Sequence, residues 1–287
     1  MTDSYFTYLG RCFVDLKDNL TLFLPYLFLL LFFVGVFFLS LLELFVVGLF
    51  GLLDFKLVYH IVPLINSITS GGVALIVVFG VINLVLMLLG YSYMRGMLLG
   101  MFREIIDKRK TSINTMMKSG KKYWKKLFFI QLLILIFFFI IPLVVLGSVV
   151  ALVFLASVVA GIVVGLILGV IFILYLIFIG IVLLFVNPIL VDKFISPARE
   201  IIRATLVYFK AKLGCVLITW LITLLIAIVA SLFNGIINVI FTIPRILLGS
   251  IITFVVISFI VRLMISLVSS IITDNFLFYI YFKKNKI

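Results

Sequence analysis

The chain has 287 residues, of which 66% are hydrophobic, 15% aromatic and only 11% charged, with a mean hydropathy of +1.49. A soluble domain carries about 25% charged and roughly 45–50% apolar residues, and much of any folded surface still meets water, so the composition excludes a water-soluble globule and points to an integral membrane protein. The formal charge of +13 is strung along the membrane edges rather than gathered in one block, which argues against nucleic acid as a partner.

A bilayer core of about 30 Å takes roughly 20 apolar residues per helix. An amphipathic segment, residues 5–19, leads into a first predicted span at 20–42. No basic n-region precedes that run and no A-x-A site follows it, so it reads as a retained span and not as a secretory signal. The apolar stretch 44–53 comes next. Gly48 and Gly51 interrupt it, which favours an interfacial or re-entrant segment over a helix that outruns the bilayer and tilts. A second span is expected at 71–90, with Asn83 near its middle.

Between residues 103 and 126 the chain carries nine Lys or Arg in 24 positions. Within the amphipathic segment 112–126, Ile113, Met116, Met117, Gly120, Tyr123 and Trp124 share one helical face, while Lys118, Lys121, Lys122, Lys125 and Lys126 take the other. These lysines are candidate contacts for anionic lipid headgroups, where each charge is worth about 1 kcal/mol. The plainer reading is that they set the topology.

Residues 127–191 then run for 65 positions without a charge, enough for two long spans or three short ones. Short cytoplasmic loops are rich in Lys and Arg. Two spans place 20 of the 23 basic residues on one side, and three would scatter them, so two are expected. Pro142 should kink the third span, and Asn187-Pro188 lies near the end of the fourth. Ser157, Gly161, Gly165 and Gly169 recur every four residues. They form a smooth stripe for close helix packing, within the chain, against a partner protein or against a second copy in a homo-oligomer. A third amphipathic segment, 196–212, opens with Ser196 as the expected N-cap and Pro197 as the first helical residue. A fifth span is expected at 214–233, a further apolar stretch read as interfacial at 236–244, and a sixth span at 246–268, interrupted by Arg262.

The layout reads as a single membrane domain, 1–287, with three units of interfacial helix plus transmembrane hairpin at 1–90, 111–191 and 196–273. Ionisable residues inside lipid are candidate sites by default, which singles out Glu43 and Arg262 together with the amide of Asn83. Counted along their predicted spans, Glu43 and Arg262 fall at opposite faces, with Arg262 near the cytoplasmic headgroups. An isolated interhelical hydrogen bond is the plain role for Asn83. His60 with Asp54 in an outer loop is another acid–base pair that spacing alone permits. His60 is the single histidine, and Cys12 and Cys215 are the two thiols, too few for a zinc site. No metalloprotease, nucleophile-elbow or phosphate-loop motif is present. No catalytic, cofactor-binding or metal-ligating residues are assigned.

The stretch LLFVNPILVDKFISPAREIIRATLVYFKAKLGCVLITWLI resembles a segment of uncharacterised multi-pass proteins of archaea and bacteria. That group is similar to the membrane domain attached to some glycerophosphoryl diester phosphodiesterases. Pro188, Asp192 and the amphipathic 196–212 carry the likeness, and LKDNLTLFLPYLFLLLFF, with Lys17, Asn19 and Pro25, resembles the same group's first span. The resemblance implies architecture only, because the catalytic phosphodiesterase domain is absent and no site residues carry over.

The expectation is an all-α polytopic integral membrane protein with six transmembrane helices and amphipathic interfacial helices, multi-pass in the cell membrane with both termini cytoplasmic. The expected function is a non-enzymatic scaffold or accessory subunit that organises lipids, anionic ones included, or a partner protein. The alternative is a small transporter or permease subunit. A water-filled meeting of Asn83, Gln131 and Asn187 would be its mark.

Overall fold

With no water in a bilayer, each backbone N–H and C=O has to pair within its own segment, and a continuous helix is the simplest solution. A computed structural model describes residues 4–55, 63–248 and 251–284, and among these the chain is almost entirely helical, with no strand. Helix α1 (Tyr5–Asp18) is capped by Ser4, whose hydroxyl accepts from the Thr7 N–H at 3.2 Å. It buries Tyr8, Cys12 and Asp15 on one face. A 3-10 turn (Leu20–Phe23) leads into α2 (Leu24–Phe55), and α3 spans Pro63–Lys108. Arg109, in the left-handed region at φ 65°, ends α3. Ser112 then caps α4 (Ile113–Ile134) by accepting from Thr115 N–H at 3.2 Å.

Pro142 has no N–H to give and its ring would press on the carbonyl four residues back. The chain answers with a π-helical turn at Leu135–Ile140, in which the Ile141 N–H reaches back to Ile136 O, and α5 (Ile141–Ala156) continues from it. The 65-residue uncharged run has its hairpin break at Ser157, whose extended backbone separates α5 from α6 (Val158–Val182), so it holds two spans. Pro188 sits in the first turn of the short α7 (Val186–Asp192), where a missing N–H costs nothing. The amphipathic α8 (Ala198–Ala211) begins one residue later than expected, with Pro197 and not Ser196 at the N-cap position. Helices α9 (Leu213–Leu248) and α10 (Ile251–Tyr279, extended by a π turn at Ile280–Lys284) complete the chain.

Among the described residues, six runs are long and apolar enough to cross a membrane: Leu20–Glu43, Val77–Lys108, Ile113–Ala156, Val158–Asp192, Leu213–Thr242 and Val255–Lys283. The protein is therefore an all-α, multi-pass membrane protein. Of the three amphipathic segments, the first and third are the separate helices α1 and α8, and the middle one is the opening half of α4, continuous with its span. The two apolar stretches expected at the interface are corrected. Residues 44–53 and 236–244 are unbroken continuations of α2 and α9. Single glycines are tolerated inside a long apolar helix when neighbouring residues keep the ladder intact.

Burial is concentrated at the end of the bundle that carries the lysines, here the basic end. Met97, Leu98, Phe102 and Ile105 of α3 pack there against Met116 of α4, Ile201 of α8 and Leu22. The last turns of α10 run through the middle of this core, with Phe276, Phe278, Tyr279 and Ile280 all at most 1% exposed. The sixth span was expected to stop at residue 268, but the helix continues because Ile271–Phe282 is apolar nearly all round and needs a protein interior. Helices α3 and α4 approach closely through glycine. A Cβ on Gly96 would stand 3.3 Å from Gly120 O, and one on Gly100 would overlap the Ser119 side chain.

Candidate functional site

Two polar centres lie at the basic end. The first joins the two ends of the chain. Asp15 of α1 is buried and accepts from Tyr279 Oη at 2.6 Å and from Asn275 Nδ2 at 3.2 Å, both on α10. Arg109 donates to Tyr279 Oη at 2.8 Å and stands 3.6 Å from the Asp15 carboxylate, so the phenol relays between cation and anion. Asn19 closes the corner by donating to Asp15 O at 2.9 Å and Arg109 O at 3.3 Å, and by accepting from Thr111 N–H at 2.9 Å. One step deeper, Arg95 of α3 pairs with Asp274 of α10 and donates through Nε to Tyr91 Oη at 2.8 Å. Asp15, Arg95, Asp274, Asn275 and Tyr279 were not singled out from sequence. The readable signal was Asp274-Asn275 inside the run IITDNFLFYIYF, where polar side chains in an apolar helix need partners. Burial and the adjacent Asp15 charge push the Cys12 thiol pKa well up, which keeps it protonated. This centre holds helices together, with its charged groups paired within the chain.

The second centre faces outward. Gly120 and Tyr123 turn α4 toward α3, which leaves Lys118, Lys121, Lys122 and Lys125 exposed on the opposite side. Lys126 Nζ donates to Ser196 O at 2.9 Å and also to Phe194 O, so it pins the link between α7 and α8 to α4. The Phe194 ring lies edge-on to Tyr123 at 5.1 Å, with Lys122 Nζ 4.9 Å and Lys126 Nζ 4.4 Å from its centre. Lys122, Lys125, Lys126, Phe129, Phe194 and Ala198 surround a hollow of about 340 Å³. Ala198 opens α8, whose N-cap residue Pro197 makes no side-chain cap bond, and the free amides of a helix start favour negative charge. Among the described residues no carboxylate forms an ion pair with these lysines.

Around α4 from this hollow come Lys125, Lys121 and then Trp124, by helical spacing. Lys125 Nζ lies 5.7 Å over the Trp124 ring. Trp124 in turn walls an apolar groove of about 510 Å³ between α2, α3 and α4, bounded also by Phe28, Phe32, Leu89, Tyr93 and Met97. A cationic hollow and an apolar groove thus flank α4 on two different sides.

The other residues marked from sequence lie elsewhere. Ser157 is the cap of α6, accepting from Ala160 N–H at 3.4 Å, and is not part of a helical stripe. A Cβ on Gly161 would overlap Phe154 of α5, one on Gly165 would stand 3.5 Å from Val150, and one on Gly169 would meet nothing within 4 Å. The upper part of the stripe thus serves the α5–α6 hairpin. Asn83 Nδ2 donates to Glu43 Oε2 at 2.7 Å, a partnership that spacing did not reveal. Arg262 donates to Asn238 of α9. It lies 21 residues from Lys283, about 32 Å at 1.5 Å per residue, so it stands far from the basic end, and its expected place near the basic headgroups is corrected. Its span was counted to residue 268, whereas α10 continues to the basic end. Asn83, Gln131 and Asn187 do not share one partner set. Gln131 accepts from Ser92 at 2.7 Å, nine residues along α3 from Asn83, and Asn187 sits in α7. Asp54 and His60 lie outside the residues whose side chains are described. No group of three His, Cys, Asp or Glu side chains gathers among the described residues.

The chain matches no protein family, no curated protein and no solved structure.

Proposed function

We propose that this protein is a non-enzymatic integral membrane scaffold or accessory subunit that organises anionic lipid at its basic end. The positive-inside rule puts that end, with both termini, in the cytoplasm of a cell membrane. The observation that carries the reading is the hollow of about 340 Å³ beside Lys122, Lys125 and Lys126, with a separate apolar groove at Trp124 on another side of α4. A phosphate-bearing headgroup fits the first by charge and an acyl chain fits the second by polarity. Trp124, whose ring borders the apolar groove, is a side chain of the kind that favours the membrane interface. Lys122 and Lys126 Nζ lie 4.9 and 4.4 Å from the Phe194 ring centre, cation–π contacts that hold both ammonium groups beside the hollow.

The test is native mass spectrometry of the protein from mixed micelles of phosphatidylcholine and phosphatidylglycerol. The variant is Lys121→Gln, Lys122→Gln and Lys125→Gln together, with Lys126 kept because it holds the α7–α8 link. At about 1 kcal/mol per charge near an anionic surface, the triple variant should retain phosphatidylglycerol at least tenfold less well. Equal retention by the two proteins would reduce the lysines to a topology signal.

A further inference from the structure

At the end of the bundle away from the lysines, α9 and α10 turn polar faces toward each other inside an apolar setting. Asn234, Asn238 and Thr242 follow one another at four-residue spacing on α9, and Ser258 and Arg262 do so on α10. Asn238, Thr242, Ser258 and Arg262 surround a hollow of about 300 Å³ with Phe241 and Phe259 at its rim. Arg262 gives one bond to the neutral amide oxygen of Asn238, but its Nε–H is buried without a partner. Ser258 is 6% exposed, and its hydroxyl is likewise buried and unpaired. The Thr242 hydroxyl is committed to Asn238 O at 2.6 Å. No carboxylate pairs with Arg262 among the described residues.

A guanidinium with a buried N–H left unpaired costs free energy wherever water does not reach it. Here its one protein partner is uncharged. A hollow with a cation and an idle hydroxyl donor, and no anion, is complementary to an oxyanion, since the planar fork of Arg matches phosphate and carboxylate geometry. The depth agrees. Arg262 is about one bilayer core from Lys283, level with the headgroups of the leaflet opposite the basic end. Phe241 and Phe259 offer apolar surface where a chain attached to that headgroup would begin.

We propose that the α9–α10 hollow binds one oxyanion group, a phosphate or carboxylate, held by Arg262 and Ser258. This site is independent of the lysines of α4. The experiment therefore uses the Lys121/Lys122/Lys125→Gln variant as its parent, so that lipid held at the basic end does not enter the count. Native mass spectrometry from micelles of phosphatidylcholine with phosphatidylglycerol, and separately from lipid-free detergent with inorganic phosphate, reads the bound species. The expected result is one phosphatidylglycerol per chain on the parent. Its affinity should fall about tenfold or more with Arg262→Gln, as for the loss of a hydrogen bond to a charged group, and severalfold with Ser258→Ala. The Ser258 change is small enough to leave the helix pair intact. Arg262-dependent binding of inorganic phosphate without lipid would also support the site and would identify a soluble oxyanion as sufficient. Binding of neither species, or binding that neither substitution weakens, overturns the proposal.

Discussion

Replacing Asp15 by alanine removes the acceptor that ties α1 to the last turns of α10. Three interactions go with it: Tyr279 Oη at 2.6 Å, Asn275 Nδ2 at 3.2 Å and Arg109 at 3.6 Å. A hydrogen bond to a charged acceptor is worth about 1.5–3 kcal/mol, and the short, buried bond from Tyr279 belongs in that range. The longer bond from Asn275 adds about 1 kcal/mol, with the added penalty that Asn275, whose Oδ1 already has no partner, would lose its last one. Arg109 has a side chain 54% exposed, so water recovers most of its interaction and it contributes less than about 1 kcal/mol. The sum is a loss of about 3–4 kcal/mol for Asp15→Ala. For Asp15→Asn it is about 1 kcal/mol, because an amide oxygen still accepts from Tyr279. Thermal unfolding of the purified protein in mild detergent measures both, with the exposed Asp18→Ala as the control. A cycle with Tyr279→Phe should show a coupling of about 1–2 kcal/mol. If Asp15→Ala costs no more than Asp18→Ala, or if the cycle is additive, the clamp between the chain's ends is not a working interaction.

Gly100→Leu should lower the unfolding midpoint by several degrees, as overpacking of about 1–3 kcal/mol or more does, because even its Cβ would overlap Ser119. Gly169→Ala, with nothing within 4 Å, should leave the midpoint level or raise it through the better helix propensity of alanine; the reverse order would refute the close α3–α4 packing. Cys12 is 1% exposed with its thiol pKa pushed well up, so it stays protonated even at a pH where an ordinary thiol, near about 8.5, begins to ionise. Peptide mapping after maleimide treatment at that pH should find Cys12 labelled only after denaturation. Equal labelling in the folded protein would mean that α1 is not docked.

The six spans were legible in sequence because lipid imposes a length and a polarity on every helix that crosses it. The hairpin break inside the 65-residue uncharged run followed from charge bookkeeping alone, and the break falls at Ser157. The lysine face of α4 was equally readable, since helical spacing separates Lys118, Lys121, Lys122 and Lys125 from Met116, Gly120 and Tyr123.

What the tertiary structure decided is who meets whom. A hydropathy pattern records how much apolar surface a segment has, but not whether lipid or protein covers it. So the end of α10, beyond the span expected at 246–268, is instead part of the buried core. The same limit hid the pairings Asp15–Tyr279, Arg95–Asp274, Glu43–Asn83 and Asn238–Arg262, each of which joins residues far apart in the chain or on separate helices. It also misplaced Arg262, since depth counted from an assumed helix end inherits the error in that end. The glycine stripe on α6 could be counted from spacing. Only packing showed a further close helix approach at Gly96 and Gly100, because a small residue matters where another backbone comes near it, and sequence does not say where that is.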